Sequence, residues 1–325
     1  MRWPFARLAV QSVSMRGVAV AVLPSYDPQR VGALYRPDIA GAVQAGTTAG
    51  LSPAEEDRHR IMLLLVDAQV DFVHPQGSLS VPGAVDDTRR TIEWLLENAG
   101  KVSTIAASLD SHIPIQIFFP TWWAGANGQH PQPFTPITSD DVHAGRWRPV
   151  YEPEWSVHYV ETLELQAKKQ LMIWPYHTLL GSEGHNLMPA LYEAVVYHTA
   201  ARQTQPVFIT KGLIPRSEHY SILEPEVKVP DHPQGTLNRE FLRQLETHDR
   251  VYIAGQAKSH CVLETTLSLV RHFHHQPNQL DKLYVLLDCT SSVAHPEIDF
   301  DKMADQMFAE LAQQGIHLAR STDPV

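Results

Sequence analysis

Three residues of this chain stand where a thiol could be set to attack a carbonyl carbon. Cys261 follows the strand-like run 251–255 (VYIAG) and lies in the apolar helical run HCVLETTLSLV that begins at His260. A thiol at the start of a helix has free backbone N–H groups and the positive end of the helix dipole beside it. Both favour the thiolate, lower the thiol pKa and aim donors at an incoming carbonyl oxygen. Asp67 ends the apolar run 61–66 (IMLLLV), and Lys211 ends the run 207–210 (VFIT). Carboxylate, amine and thiol therefore all fall at carboxyl ends of expected strands, where open α/β sheets build their sites. A cysteine hydrolase would use such a set.

A second constellation follows the next strand. In Asp110-Ser-His112, residues two apart in an extended segment face the same side and can converge on one ion, with His177 supplying a third ligand from another loop. Two imidazoles and one carboxylate leave coordination positions open, as catalytic rather than structural divalent sites do. The chain has 18 histidines, so an isolated Asp-x-His pair carries little weight. The argument is the convergence of three.

Elements that could position these groups are legible in the hydrophobic pattern. Strands are expected at 61–66, 102–108, 206–210, 250–254, 283–287 and 315–319, and helices at about 85–99, 186–201, 235–247, 261–274 and 298–313. Short apolar runs alternating with helical periods predict a doubly wound, Rossmann-like three-layer α/β/α fold with a central, mostly parallel six-stranded sheet. Residues 1–60 read as an N-terminal extension and 61–325 as the hydrolase body. The alternation breaks at about 119–170, a Trp- and Pro-rich insertion ending in a charged helical run. Long insertions of this kind tend to be lids or interfaces.

Composition excludes several classes. No apolar run approaches the ~18 residues of a membrane span, and the mean hydropathy is -0.21. A formal net charge of -10 without a Lys/Arg stripe argues against a nucleic-acid partner. Two cysteines give no disulfide framework and suit a reducing compartment, the cytoplasm, with Cys289 a small buried hydrophobe. The first 26 residues hold Arg2, Arg7 and Arg16 with no acid before Asp27, which fits either a targeting peptide or a plain extension. From 27 to 60 the chain is polar and broken, an arm or lead-in.

Several blocks together resemble the nicotinamidases, within the isochorismatase-like cysteine hydrolases. They are VDAQVDF with HPQGSLSVPGA, SLDSH, IWPYHTLLGSEGHNLMPAL, ITKGLIPRSEHYS and AGQAKSHCVLETT, all in the family's order and covering about 61–292. The resemblance implies hydrolysis of a small amide, nicotinamide first, by a triad of Asp67, Lys211 and Cys261. Asp67 would take the thiol proton and later activate water; Lys211 would stabilise the thiolate. It further implies a cis peptide at Gln256-Ala257 and an oxyanion hole formed by the Ala257 and Cys261 N–H groups. Asp110, His112 and His177 would hold one divalent ion, zinc first, with iron or manganese as alternatives. Phe72 and Trp174 match the aromatics that sandwich the ring, although ordinary core packing is the alternative for both.

The chain also departs from the family pattern. Gln116 stands near the place of a further metal histidine, leaving His130 and His143 of the insertion as candidates. Thr178 replaces a cysteine, and Lys258 and Ser259 replace the common Thr and Asp before the nucleophile. Trp122 and Trp123 could close over substrate or bury a contact in a homo-oligomer. Two other functions stay open: a metal-independent amidase for another small amide, carbamoyl or ureido substrate, and a catalytically silent binding protein.

Overall fold

A computed structural model describes residues 23–325 apart from residue 168. The basic stretch considered as a targeting segment lies outside the described residues. Six strands form one parallel sheet: β1 (Ile61–Val66), β2 (Val102–Asp110), β3 (Val207–Lys211), β4 (Arg250–Gly255), β5 (Leu283–Leu286) and β6 (His317–Ala319). Their order is β3-β2-β1-β4-β5-β6, and every pairing is parallel. This is the doubly wound arrangement expected. The chain winds one way from β1 and the other way from β4, so the crevice between the carboxyl ends of β1 and β4 is the switch point at which such sheets bind ligands.

The alternation within β1 shows why it occupies the centre. All six of its residues are buried; Ile61, Leu63 and Leu65 join the core on one face, and Met62, Leu64 and Val66 the core on the other. A strand covered on both sides has no polar face to offer, and IMLLLV contains none. The first core is closed by α1 (Ile39–Thr47), α2 (Ala84–Glu97) and α3 (Pro189–Arg202). The second is closed by α4 (Arg239–Glu246), α5 (Leu263–Phe273) and α6 (Phe300–Ala312). Helix starts carry their expected caps: the Asn238 carboxamide oxygen accepts from the Phe241 N–H at 3.1 Å and Asp299 accepts from the Lys302 N–H at 3.0 Å.

Two regions differ from the expectation. The arm before β1 contains a helix, α1, whose Gly- and Ala-rich sequence IAGAVQAGT gives a weak local signal. It is held by tertiary contacts: the buried Glu193 carboxylate of α3 accepts from the Asp38 N–H at 2.6 Å, the Ser25 hydroxyl at 3.1 Å and the Tyr35 hydroxyl at 3.4 Å. Leu23, Val31 and Ala42 are buried in the same core as β1. In the insertion, Trp122 and Trp123 are not exposed, as a lid or a subunit contact would require. Both are buried, with the Trp122 Nε1–H donating to Ser156 Oγ at 2.9 Å and the Trp123 Nε1–H to the Ile117 carbonyl at 2.6 Å. They belong to the same core as Ile61, Leu63 and Leu65 of β1, which removes the observation that had suggested an oligomer. A helix at Pro153–Thr162 and two small two-stranded sheets complete the insertion. Among the described residues no helix is long and apolar enough to cross a membrane.

Candidate active site and metal centre

The structure brings Asp67, Lys211 and Cys261 together from the ends of β1, β3 and β4, around the Lys211 ammonium. Its Nζ lies 2.9 Å from Asp67 Oδ2, 2.7 Å from Asp110 Oδ1, 2.9 Å from the His219 carbonyl and 3.6 Å from Cys261 Sγ. The Asp110 and His219 oxygens accept two of its three protons. Asp67 Oδ2 lies within ion-pair distance but is not aligned as an acceptor, so it is buried without a hydrogen-bond partner. Asp67 Oδ1 accepts from the Ser108 hydroxyl at 2.6 Å, which also accepts from the Asp67 N–H at 3.1 Å. Ser108 orients the carboxylate, and nothing in the local sequence around Asp67 points to it.

Close backbone approach makes this geometry possible at two glycines. Gly255 ends β4 at φ +120, where a Cβ would lie 2.0 Å from the Val66 carbonyl oxygen. Only glycine lets β4 run against the end of β1 and turn there. The chain then passes through a cis peptide at Gln256-Ala257, as the resemblance implied, and a wider π-type turn at Lys258–Val262 that carries Cys261 into α5. Such turns recur at functional sites. Gly212 follows Lys211 at φ +86, and a Cβ there would come within 2.8 Å of His112 Cε1 and 2.9 Å of Asp110 Oδ1.

One expectation is corrected. The helix N-terminus was expected to lower the Cys261 pKa. Burial instead pushes the thiol well above its ordinary value, and the Asp67 and Asp110 carboxylates add to that against the Lys211 cation. Cys261 is 7% exposed, and desolvation of a thiolate outweighs what the turn offers. Burial likewise raises Asp67, opposed by Lys211, while Lys211 is held firmly protonated by Asp110 and Asp67 despite its own burial. The resting site is a thiol and a carboxylate oxygen that flank the same ammonium, the oxygen without a hydrogen-bond donor aligned on it among the described residues.

Asp110, His112 and His177 also converge, with one ligand atom from each lying within 4.8 Å of the others, all buried. Asp110 Oδ2 is 2.8 Å from His112 Nε2 and 3.5 Å from His177 Nε2. His177 Nδ1 is 2.8 Å from the Pro175 carbonyl and His112 Nδ1 is 3.2 Å from that of Gly212, so each ring turns Nε2 inward as a lone pair. Among the described residues His112 Nε2 is buried with no hydrogen-bond partner. Burial raises Asp110, but the neighbouring His112 and Lys211 outweigh it and hold this carboxyl well below the usual range. An ionised carboxylate with two inward imidazole lone pairs, one orphaned, fits a divalent cation.

Supporting residues went unnoticed in the sequence. The Gln69 side chain accepts from the Asp110 N–H at 2.8 Å and donates to the Asp110 and His185 carbonyls at 2.8 Å each. Asp71 accepts from the Thr178 N–H at 2.7 Å, beside His177. Both belong to the block VDAQVDF, and their spacing of two and four from Asp67 was the available signal. Gln116 supplies no ligand; its amide donates to the Gly212 and Ile214 carbonyls at 2.7 and 3.0 Å. His130 and His143 do not join the trio either: His130 bonds the Trp123 carbonyl and His143 pairs with Glu161 at the surface. Phe72 meets the His177 ring edge-on at 5.5 Å, and Trp174 meets the His260 ring at 5.3 Å while its Nε1–H donates to the Tyr220 hydroxyl at 3.0 Å. Each of the two aromatics therefore packs beside one of the two constellations.

By sheet order the chain has a doubly wound α/β fold with a six-stranded parallel sheet, and the two constellations lie at its carboxyl edge. No family model matches the chain. The nicotinamidase of Saccharomyces cerevisiae is 24% identical over 252 residues, covering 76% of this chain and 95% of that protein. The structure of the Acinetobacter baumanii nicotinamidase/pyrazinamidase superposes with a TM-score of 0.54 at 22% identity, covering 82% of this chain and 99% of the other. The L. infantum protein in complex with nicotinate superposes with a TM-score of 0.50 at 20% identity, covering 82% and 95%. The chain is thus similar to nicotinamidases in sequence and shares their fold.

Proposed function

We propose that this chain is a nicotinamidase, hydrolysing nicotinamide to nicotinate and ammonia through a thioester on Cys261. The observation that carries the proposal is the Lys211 ammonium, which meets Cys261, Asp67 and the metal-trio residue Asp110 at once. That contact joins a thiol-and-base pair to a ring-anchoring site in one buried unit. Relatives named nicotinamidase support it. The hydrolase body is 61–325, with 1–60 an extension and 119–170 an insertion. Two free cysteines suit a reducing cytoplasm.

Asp67 Oδ2, which accepts no hydrogen bond from the described residues in the resting site, takes the proton of the Cys261 thiol as sulfur bonds to the amide carbon. The carbonyl electron pair moves onto oxygen, which the Ala257 and Cys261 N–H groups receive. Among the described residues the Ala257 N–H donates to no backbone acceptor. Collapse of the tetrahedral species breaks the C–N bond while Asp67 returns its proton to nitrogen, and ammonia leaves. Water, losing a proton to Asp67, then attacks the thioester carbon; the C–S bond breaks, sulfur regains the proton and nicotinate departs. The burial that raises Asp67 suits a group that must hold a proton between these steps. Phe72 and Trp174 flank the ring.

A divalent ion on Asp110, His112 and His177, zinc first with iron and manganese as alternatives for this donor set, would supply a Lewis-acid anchor for the pyridine nitrogen. The test is ammonia release from nicotinamide by wild type, Cys261→Ala and a chelator-treated sample in parallel. Turnover by wild type and loss in the other two is expected. Wild-type turnover indifferent to chelation would favour the metal-independent amidase, and no turnover by metal-loaded wild type would end the nicotinamidase assignment.

A further inference from the structure

Both proposed oxyanion donors, the N–H groups of Ala257 and Cys261, belong to a five-residue turn whose own hydrogen bonds only partly fix it. Within the turn the His260 and Val262 N–H groups both donate to the Ala257 carbonyl. Beyond the packing of the His260 ring on Trp174 and Tyr220, the turn's polar anchors come from one distant strip, 291–305, which runs from the loop after β5 into α6. The Lys258 N–H donates to the Ser291 carbonyl at 2.7 Å, and the Val293 N–H donates to Ser259 Oγ at 3.1 Å. Ser259 Oγ also lies 2.8 Å from His260 Nδ1, and the His260 ring meets Phe300 at 4.9 Å. At the middle of the turn, Lys258 Nζ lies 2.7 Å from Asp301 Oδ1 and 2.8 Å from Asp305 Oδ1 on the first turns of α6.

Lys258 is one of three residues between the two donors in sequence and, with Ser259, stands where the resembling family commonly has Thr and Asp. Its side chain is only 9% exposed, whereas the two carboxylates it meets are 62% and 60% exposed. A buried ammonium must be paired, and this one finds both its partners on the strip and none in the catalytic cluster. The clasp therefore acts mechanically, through the backbone, and not as a charge beside the thiol.

We propose that Lys258 is a positioning residue: its clasp to Asp301 and Asp305 holds the turn 257–261 so that the Ala257 and Cys261 N–H groups converge on the oxygen of the tetrahedral species. This inference rests on the nicotinamidase assignment and on Ala257 and Cys261 as the oxyanion donors. It makes the 291–305 strip a part of the working site although it supplies no group that touches substrate. Donors set about an ångström out of place can lose roughly 10- to 100-fold in rate, with little effect on a ligand that develops no oxyanion.

The test uses the full chain, metal-loaded, as wild type, Lys258→Met, Lys258→Arg and the double variant Asp301→Asn/Asp305→Asn, each checked for folding by thermal melt. Two probes are measured beside turnover. Nicotinate reports on the ring pocket without addition; pyridine-3-carbaldehyde adds the Cys261 S–H across its C=O, giving a thiohemiacetal whose oxygen occupies the hole. We expect Lys258→Met to lower kcat about 10- to 100-fold with KM within about 3-fold, and to weaken the aldehyde by a similar factor while nicotinate binds as before. Lys258→Arg should restore most of the rate, and the double variant should reproduce the loss from the other side of the clasp. If Lys258→Met does not fold, the double variant carries the test alone. Wild-type kcat in Lys258→Met or in the double variant overturns the inference, as does an equal loss of aldehyde and nicotinate binding. Absence of ammonia release by wild type is scored first and counts against the nicotinamidase assignment instead.

Discussion

Strand β2 ends in a buried ionic cluster on either side, and the two clusters obey different rules. At its amino end, Arg202 of α3 donates to the Asp57 carboxylate at 2.5 Å, the Ser52 carbonyl at 2.6 Å and the Val102 carbonyl at 3.3 Å. Asp57 also accepts from the Ser103 hydroxyl at 2.5 Å, and His198 Nε2–H donates to the Val102 carbonyl at 2.9 Å. One cation meets one anion, and each has further neutral partners. At its carboxyl end, one ammonium, Lys211, faces two carboxylates and a thiol, and Asp67 Oδ2, His112 Nε2 and His219 Nε2 have no hydrogen-bond partner among the described residues. A buried polar atom without any partner, as His219 Nε2 is among the described residues, costs roughly 1–3 kcal/mol, a cost that a purely structural site has no reason to carry. The amino end is closed to new partners, and the carboxyl end is arranged to receive a cation and an electrophile.

The widest separation between the two ends should come from the thiol. Cys261→Ala should lower kcat by about 10⁴-fold or more, because the groups of a nucleophilic unit fail together. Its Tm should stay near that of wild type, since the removed atom is small and makes one long contact with Lys211. Steady-state ammonia release and a thermal melt check both halves, and substantial turnover would remove Cys261 from the chemistry. Asp67→Asn sharpens the contrast. Burial raises this carboxyl above its ordinary value, so above that ordinary value the folded state bears a cost for keeping it ionised. The amide should cost about 10³-fold in kcat while leaving Tm unchanged or higher, and a large fall in Tm would show that the carboxylate is structural.

Arg202→Met is the mirror experiment. Stranding Asp57 in a mostly buried setting should cost about 3–5 kcal/mol in denaturant unfolding, while kcat of the folded enzyme at 20 °C stays within about 2-fold. If activity falls with stability intact, the two ends are coupled and the division between them fails.

How much of this could be seen in the sequence follows the same division. The sheet was legible because parallel strands buried on both faces leave uninterrupted apolar runs, and IMLLLV or VYIAG admits few other structures. The catalytic and metal candidates were legible because strand ends are local features, so Asp67, Asp110, Lys211 and Cys261 are marked by what precedes them. The Arg202–Asp57 pair was not legible, since its members are 145 residues apart and neither lies in a motif. Glu193, which ties down the arm, was hidden for the same reason, and α1 with it. Trp122 and Trp123 misled because aromatic residues among prolines look alike whether they join the main core or face solvent. The direction of the Cys261 shift was missed because the helix start is written in sequence, whereas desolvation depends on everything that packs around the thiol.

The smallest of these effects tests whether the amino end is as dry as its hydrogen bonds imply. His198 is almost fully buried, and burial first, then the Arg202 cation, pushes its pKa down to about 4 against the bond to Val102 and the Asp57 charge. A histidine with a depressed folded pKa binds its proton more readily when unfolded. Its contribution is therefore fully present above pH 6.5 and is lost as pH falls from 6.5 towards 4. Solvent that reaches the cluster on opening reduces the full linkage, leaving about 2 kcal/mol. In His198→Gln the amide can still donate to the Val102 carbonyl but cannot titrate. The slope of unfolding free energy against pH should therefore flatten between 6.5 and 4, without vanishing, because His219 and His260 at the other end are also pushed down, to about 3. Turnover at pH 7 should not change. A slope equal to that of wild type would mean that water already reaches His198, and the contrast between a sealed end and a receptive end would have to be redrawn around Arg202 and Asp57 alone.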